Sequence, residues 1–246
     1  WASAQALNAS FPVANLTDGR QAKVTKLNAA GTTWQLTGDL GTAKAVDVFG
    51  VCNHDFLAGT TVEVRKSSDN FVANDVQVMA PTVGMSAVSS AFTFAAATER
   101  YWRLIFVQPS SRFAQIGEIF MGDRTDLARN FVWDYADTTR VRVIRHESAA
   151  RAQWLFGLGL LTRALDTAWE DLKDGQRDEM VKLLGDVLGR IFLFVLLAQN
   201  SNPTTVADQD CLLCCLASEE YGMRRHVTDL NQGGHLVMVE DARGVG

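Results

Sequence analysis

The chain has 246 residues, 47% of them hydrophobic and 21% charged, and a net charge of −5. This composition supplies a full core and excludes a disordered chain, and the shortage of Lys and Arg excludes a general affinity for nucleic acid. Residues 1–123 carry 9 basic and 10 acidic side chains and residues 124–246 carry 14 and 18, so neither half is a basic module.

A length of this size suits two domains. The cysteines are Cys52, Cys211, Cys214 and Cys215. Three of them crowd into one short stretch, which is not the spacing of a secreted disulfide framework; reduced thiols made in a cytoplasm are the plainer expectation. The longest apolar run, Ile191 to Ala198, is far shorter than the roughly 20 residues that a membrane helix requires, so no membrane insertion is expected. No charged-then-apolar leader opens the sequence, which begins at Trp1.

The first half is punctuated for β-structure. Ala45 to Val51 alternates in part, with Val46, Val48 and Val51 facing inward. Thr61 to Lys66 alternates cleanly, and Val76 to Met79 and Ala91 to Ala95 follow. Tyr101 to Val107 and Ile116 to Met121 are strands by composition. Short strands between Gly, Asn, Asp and Ser clusters indicate a sandwich or barrel, with no helix of any length before Asp126. The texture changes near Gly122-Asp123-Arg124. Arg140-Val-Arg-Val143 places two arginines on one strand face and two valines on the other. On the next strand Ala152, Trp154, Phe156, Leu158 and Leu160 share a face. Leu161, Ala164, Leu165, Ala168, Trp169 and Leu172 then fit a period of 3.6 and predict a first helix. Asp174 is a candidate N-cap for a second, with Met180, Leu183, Leu184, Val187 and Leu188 as its buried stripe and Gly189 past its end. Ile191–Ala198 reads as a buried central strand, Asn200–Pro203 as a loop, and Asp210–Leu216, Tyr221–Thr228 and Gly233–Glu240 as further strands. The fold class is thus mainly β, with an N-terminal sandwich and a C-terminal α+β layer in which a helix packs on a sheet.

Four segments of the first half resemble the discoidin or galactose-binding-like family of jelly rolls: Phe11-Pro-Val-Ala-Asn-Leu-Thr-Asp-Gly19, Trp34-Gln-Leu-Thr-Gly-Asp-Leu-Gly41, Thr61 to Asp69, and Arg100-Tyr-Trp-Arg-Leu104 followed by Ile116-Gly-Glu-Ile119. The resemblance spans residues 1–123 and implies a jelly-roll sandwich whose ligand loops vary. Residues 124–246 are similar in layout to distal-tail and minor tail (baseplate) proteins of siphophages. Asn130-Phe-Val-Trp-Asp-Tyr-Ala-Asp137, the strand bearing Arg140 and Arg142, and the order strands–helix–strands carry that likeness to a tail-tube-like assembly domain. The two modules stand here in the reverse of the usual distal-tail order. What this second resemblance implies is a virion protein of the phage tail tip, assembled in the host cytoplasm as a homo-oligomer (a hexamer or trimer) beside the tail tube and hub. The alternative is an adsorption module that contacts a host glycan.

Candidate chemistry is sparse. The histidines are His54, His146, His226 and His235, and neither G-x-S-x-G nor H-E-x-x-H occurs. The one imaginable nucleophile pair, Cys214 with His226, puts the thiol inside an apolar strand, so no enzyme and no cofactor are expected. Cys211-Leu-Leu-Cys214-Cys215 has a C-x-x-C spacing, but Leu212 and Leu213 favour burial over a metal knuckle, and no metal is expected. Asn53-His54-Asp55 and the loop carrying Arg112 and Phe113 are candidate glycan loops, since polar edges beside an aromatic platform suit a sugar; the plain reading is solvated turns. Arg140, Arg142 and Arg145 form a ladder that reads either as solvated surface or as a subunit interface meeting carboxylates such as Asp166, Glu170, Asp171 and Asp174.

Overall fold

In the computed structural model, the described residues are 1–20, 22–85, 89–126, 136–147, 153–169, 172–187, 190, 192–195, 205–206, 211–216, 223–227, 230–233, 236–240 and 243–244. The first strands are β1 (Ala2–Ser3), β2 (Thr25–Lys26), β3 (Gly31–His54), β4 (Thr61–Ser67), β5 (Val76–Val83), β6 (Ser90–Arg112) and β7 (Gln115–Gly122). They are followed by β8 (Ala136–Glu147), β9 (Gln153–Thr167), the helix α1 (Asp174–Val187), β10 (Phe192–Val195), β11 (Thr205–Val206), β12 (Cys211–Leu216), β13 (Met223–Val227), β14 (Leu230–Gly233), β15 (Leu236–Glu240) and β16 (Arg243–Gly244). The chain divides into two compact units: Trp1–Arg124 with Leu193–Leu212, and Thr125–Phe192 with Leu213–Gly246.

The first unit is an antiparallel sheet folded over on itself. Its strand order is β2-β7-β3-β6-β4-β5, with β1 added beside β3 and β11 beside β6. β3 and β6 are long enough to belong to both layers. The first part of β3 pairs with the last part of β6 from Gly31↔Arg112 to Asp39↔Tyr101, and the pairing resumes at Lys44↔Glu99 and runs on to Val51↔Ser90. The register shift between Asp39 and Lys44 marks the bend. Gly41 stands there at φ +77, a conformation that only glycine adopts without strain. Asp39 clasps the bend: its carboxylate accepts from Arg100 Nε at 2.7 Å and Nη2 at 2.8 Å and from the Gly41 amide at 2.8 Å. These donors, the Arg100 guanidinium first, hold the Asp39 carboxyl down at about 2, so the clasp stays ionised in moderately acid solution.

Beyond the bend the two layers face each other across one core. Trp34, Leu36, Val62, Val64, Trp102, Leu104 and Phe106 come from one layer, and Val46, Phe49, Val51, Phe92, Ile116 and Ile119 from the other. Phe49 stacks on Phe92 at 4.9 Å, and Phe56 on Phe106 at 4.7 Å. Trp34 and Trp102 are buried, and truncating such a residue to Ala costs about 3–5 kcal/mol. Val46, Val48 and Val51 are all buried, as the alternation predicts, although both faces of this part of β3 are covered. A short 3-10 helix, Val13–Thr17, precedes the bend and buries Leu16, so the first half is not wholly free of helical turns.

The second unit contains the antiparallel order β12-β15-β9-β16, with β8 pairing β9 from Ala136↔Asp166 to Glu147↔Gln153. Here the first expected helix does not form: Leu161, Ala164 and Leu165 belong to β9, which continues to Thr167. The second helix does form. Asp174 lies in its first turn rather than capping it, where its charge suits the helix dipole. Gln176 Oε1 instead accepts the Lys173 amide at 3.1 Å, the reach-back half of a capping box. Met180 is buried against Trp169, Leu172 and Leu236, and Leu183 and Leu184 pack beside it. Phe192 and Leu193 in β10 are half-buried rather than buried. The stretch Asn200–Pro203 and residues 188–189 lie outside the described residues.

A close approach fixes Leu193 in the first unit. A Cβ added at Gly50 would stand 2.6 Å from Leu193 Cδ2. Gly50→Val should therefore destabilise the first unit by about 1–3 kcal/mol. Leu193→Ala in the Gly50→Val background should recover part of that loss, giving a coupling energy in a double-mutant cycle of urea midpoints. Additive losses would show that the two residues do not meet.

Candidate functional site

The ends of β3, β6 and β7 converge where the sequence places its candidate glycan loops. Asn53 and His54 are the last residues of β3 rather than loop residues, and Asn53 takes φ 50. That left-handed residue turns the chain out of the strand, and Asp55 follows in the loop. Asp55 Oδ1 accepts the Gln115 amide at 2.8 Å, and the Asp55 amide donates to the Gln115 carbonyl at 3.3 Å. Asp55 Oδ2 accepts from Arg112 Nη2 at 3.1 Å. A carboxylate is thus pinned to one backbone and in turn pins a guanidinium on another strand end. Phe113, the next residue, is 52% exposed, enough ring to offer a platform.

Of the five candidates, the structure joins Asp55 to Arg112 and places Asn53 and Phe113 beside them in sequence. It turns His54 inward. His54 is buried in register with Ile116, its ring lies 5.4 Å from that of Phe56, and Nδ1 accepts the Phe56 amide at 3.3 Å. With Nδ1 an acceptor, the neutral ring carries its proton on Nε2. Nε2 has no hydrogen-bond partner among the described residues, and burial pushes the imidazole down to about 4.

Residues not singled out in the sequence complete this end. Lys26 in β2 is the register partner of Gln115. Its amide donates to the Phe11 carbonyl at 3.4 Å and its carbonyl accepts from the Asn8 amide at 2.9 Å. Phe11 is 36% exposed. Nothing local marks Lys26 or Phe11, because only the β2–β7 register brings Lys26 to Gln115, and a backbone hydrogen bond in turn brings Phe11 to Lys26.

The other candidates fare differently. Arg140, Arg142 and Arg145 lie on β8; Arg140 pairs with Thr162 and Arg145 with Leu155, while Arg142 falls in the register shift between Val141 and Val143. Their side chains, and that of Cys211, lie outside the described residues. Cys214 is buried and Cys215 exposed, on opposite faces of β12, so these two thiols do not turn to one ion. Among the described residues no three His, Cys, Asp or Glu side chains gather as metal ligands, and no helix is long and apolar enough to cross a membrane.

A second polar cluster covers the outer face of β4, β5 and β6. Arg65 bridges Glu63 and Asp75, Arg103 Nη1 reaches Asp75 at 3.0 Å, and the Arg103 guanidinium lies 3.7 Å over the Phe71 ring. Its charges satisfy one another, which marks it as a brace for the loop after β4.

No protein-family model matches the chain, and no curated protein does. Solved structures do. Chitosan-binding module 1 of a chitosanase/glucanase from Paenibacillus sp. IK-5 matches at 18% identity and a TM-score of 0.44, over 50% of this chain and 92% of that one. The CBM32 of AlyQ, solved with 4,5-unsaturated mannuronic acid, matches at 24% identity and 0.38, over 49% and 92%. CBM32-3 of a family 31 glycoside hydrolase from Clostridium perfringens matches at 12% and 0.42, over 50% and 89%.

The buried imidazole gives a sharp expectation. Between pH 6.5 and about 4 the unfolded chain binds a proton at His54 that the folded chain refuses. Stability from this group is therefore complete above pH 6.5 and falls as the pH drops through that window, by about 3 kcal/mol at about 1.4 kcal/mol per pKa unit. His54→Gln should remove that part of the slope. The check is the difference in urea midpoints between the two proteins across the window, and parallel curves would refute it.

Proposed function

We propose that the first unit is a non-catalytic saccharide-binding module that takes its ligand at the end formed by Asn53–Phe56 and Arg112–Gln115. The observation that supports this is the Arg112–Asp55 pair, locked to the Gln115 backbone and set beside the exposed Phe113 ring. Sugars present apolar CH faces and polar edges. A fixed set of hydrogen-bonding groups next to an aromatic ring meets both needs, and fixing them beforehand lowers the ordering cost on binding. The galactose-binding-like resemblance of residues 1–123 agrees with this reading. The test is a saccharide array followed by thermal unfolding with each hit. A ligand should raise the melting temperature of the first unit by mass action. Phe113→Ala should keep the fold, since the ring is exposed, yet weaken binding about tenfold or more. A Phe113→Ala protein that binds every hit unchanged would rule this site out.

A second reading concerns the other unit, and what supports it is the layout of paired strands β8 and β9, the helix α1, and strands β12 and β15. It holds that this unit assembles with copies of itself as part of a phage tail tip, in the manner of the distal-tail proteins it resembles. Closed symmetric rings follow from such contacts. Light scattering of the full chain across a concentration series should then give a trimer or hexamer, and a monomer at all concentrations would count against self-assembly.

A further inference from the structure

Arg112 is held at its base and open at its tip. Of its five N–H donors, one on Nη2 is taken by Asp55, and no other acceptor among the described residues takes the rest. Its side chain is 36% exposed. Both oxygens of Asp55 are engaged: Oδ2 receives Arg112 and Oδ1 receives the Gln115 amide. Gln115 stands in register with Lys26, whose backbone is bonded on both sides while its ammonium makes no ion pair among the described residues. The neighbouring charges Lys23 and Asp18 cancel each other at 3.1 Å. His54 is buried and neutral and adds no charge. Arg112, bonded to Asp55, and Lys26, in register with Gln115, are thus linked through the Gln115 backbone; the exposed Phe113 follows Arg112 in the chain, and the exposed Phe11 is bonded through its carbonyl to the Lys26 amide.

We infer that the ligand of this site is an acidic saccharide, a chain of uronic-acid units whose carboxylates are read by Arg112 and Lys26 while its rings lie against Phe113 and Phe11; this rests on the saccharide-binding reading above. A neutral sugar would leave both cations unpaired at the ligand. A carboxylate matches the planar guanidinium fork with two parallel hydrogen bonds, a geometry that a lysine cannot reproduce. Asp55 restrains the guanidinium through one hydrogen bond to Nη2 before the ligand arrives.

The test uses the full chain and titration calorimetry with oligogalacturonate and with the same oligomer fully methyl-esterified. The acid should bind, and the ester should bind about tenfold more weakly or not at all. Binding should weaken further in about 1 M salt, where the screening length falls to about 3 Å. Arg112→Gln should lower affinity about tenfold or more, Arg112→Lys should restore little of it, and Lys26→Gln should cost a few-fold. Lys26→Gln guards against a misfolded Arg112 variant, because it removes no contact of the fold. If the ester or another neutral sugar binds as tightly as the acid, the inference is overturned while the saccharide-binding reading stands. Binding of dextran sulfate in place of the uronate overturns the carboxylate assignment in the same way. If no saccharide binds, charged or neutral, both fall together.

Discussion

The antiparallel ladder between β3 and β6 determines the rest of the first unit. It runs from Gly31↔Arg112 to Val51↔Ser90, so one pair of strands passes through both layers of the sandwich. Strand pairing is strictly alternating, and a slip of one residue would send Trp34, Leu36, Trp102, Leu104 and Phe106 to the solvent face. The bend at Gly41 lets the ladder fold so that both inner faces meet. Once it is folded, β4 can align only along β6, from Thr61↔Val107 to Ser67↔Tyr101, and β7 only along β3, from Val48↔Gly122 to His54↔Ile116. The register that buries the core therefore also sets which strand ends come together.

The outward faces show how the same ladder carries polar groups. Arg65, Arg103 and Asp75 brace a loop in which Asn70 and Phe71 stand consecutively at φ 58 and φ 63. Each left-handed non-glycine residue costs about 1–2 kcal/mol. The Asp69 carboxylate offsets the cost by accepting the amides of Val72, Ala73 and Asn74, and Ser67 Oγ accepts those of Asp69 and Phe71. Those donors hold the Asp69 carboxyl below its usual range, with the Ser67 hydroxyl the largest contribution. The charges of this cluster pair with one another, although the buried Arg103 Nε finds no acceptor among the described residues. The Asp55–Arg112 cluster differs in exposure: the Arg112 side chain is 36% exposed with one donor engaged, whereas Arg103 is 18% exposed.

The alternation of Thr61–Lys66 and the inward period of 2 in Tyr101–Val107 were enough to read those strands, because each buries one side on a core; Ile116–Met121 was legible by composition, and Ile116–Ile119 are buried on both faces. The glycine at the bend was legible for the same local reason, since Asp39-Leu-Gly41 carries its own turn chemistry. The misread segment was Leu161–Leu172. Its apolar spacing fits a helix, but Ala164 and Leu165 are buried within β9, which is paired to β8 on one side and to β15 and β16 on the other. Those partners lie far away in sequence, and their hydrogen bonds override a local period that a short window cannot distinguish. The site was half legible. Asp55 and Arg112 stood out as a polar residue after a strand and a cation before an aromatic, yet their pairing spans two loops and belongs to register. Lys26 and Phe11 were invisible for that reason, and the burial of His54 follows from β3 running on to His54, three residues beyond the Val51 at which the strand pattern ends.

The ligand-facing properties of this end follow from the same constraint. Asn53 takes a left-handed conformation at this end of the sandwich, and it turns the strand so that His54 stays inside while Asp55 reaches Gln115. Without that reach, the Asp55 carboxylate would be solvated and mobile, and the Arg112 pair would be an ordinary surface ion pair of about 0–1 kcal/mol. With it, the carboxylate is tied to backbone on one oxygen and to the guanidinium on the other. The stability gained is still small, because both side chains are partly exposed. The gain is in geometry: a cation restrained by a backbone-tied carboxylate loses less freedom when a ligand arrives, and so directs its affinity to whatever matches its open donors.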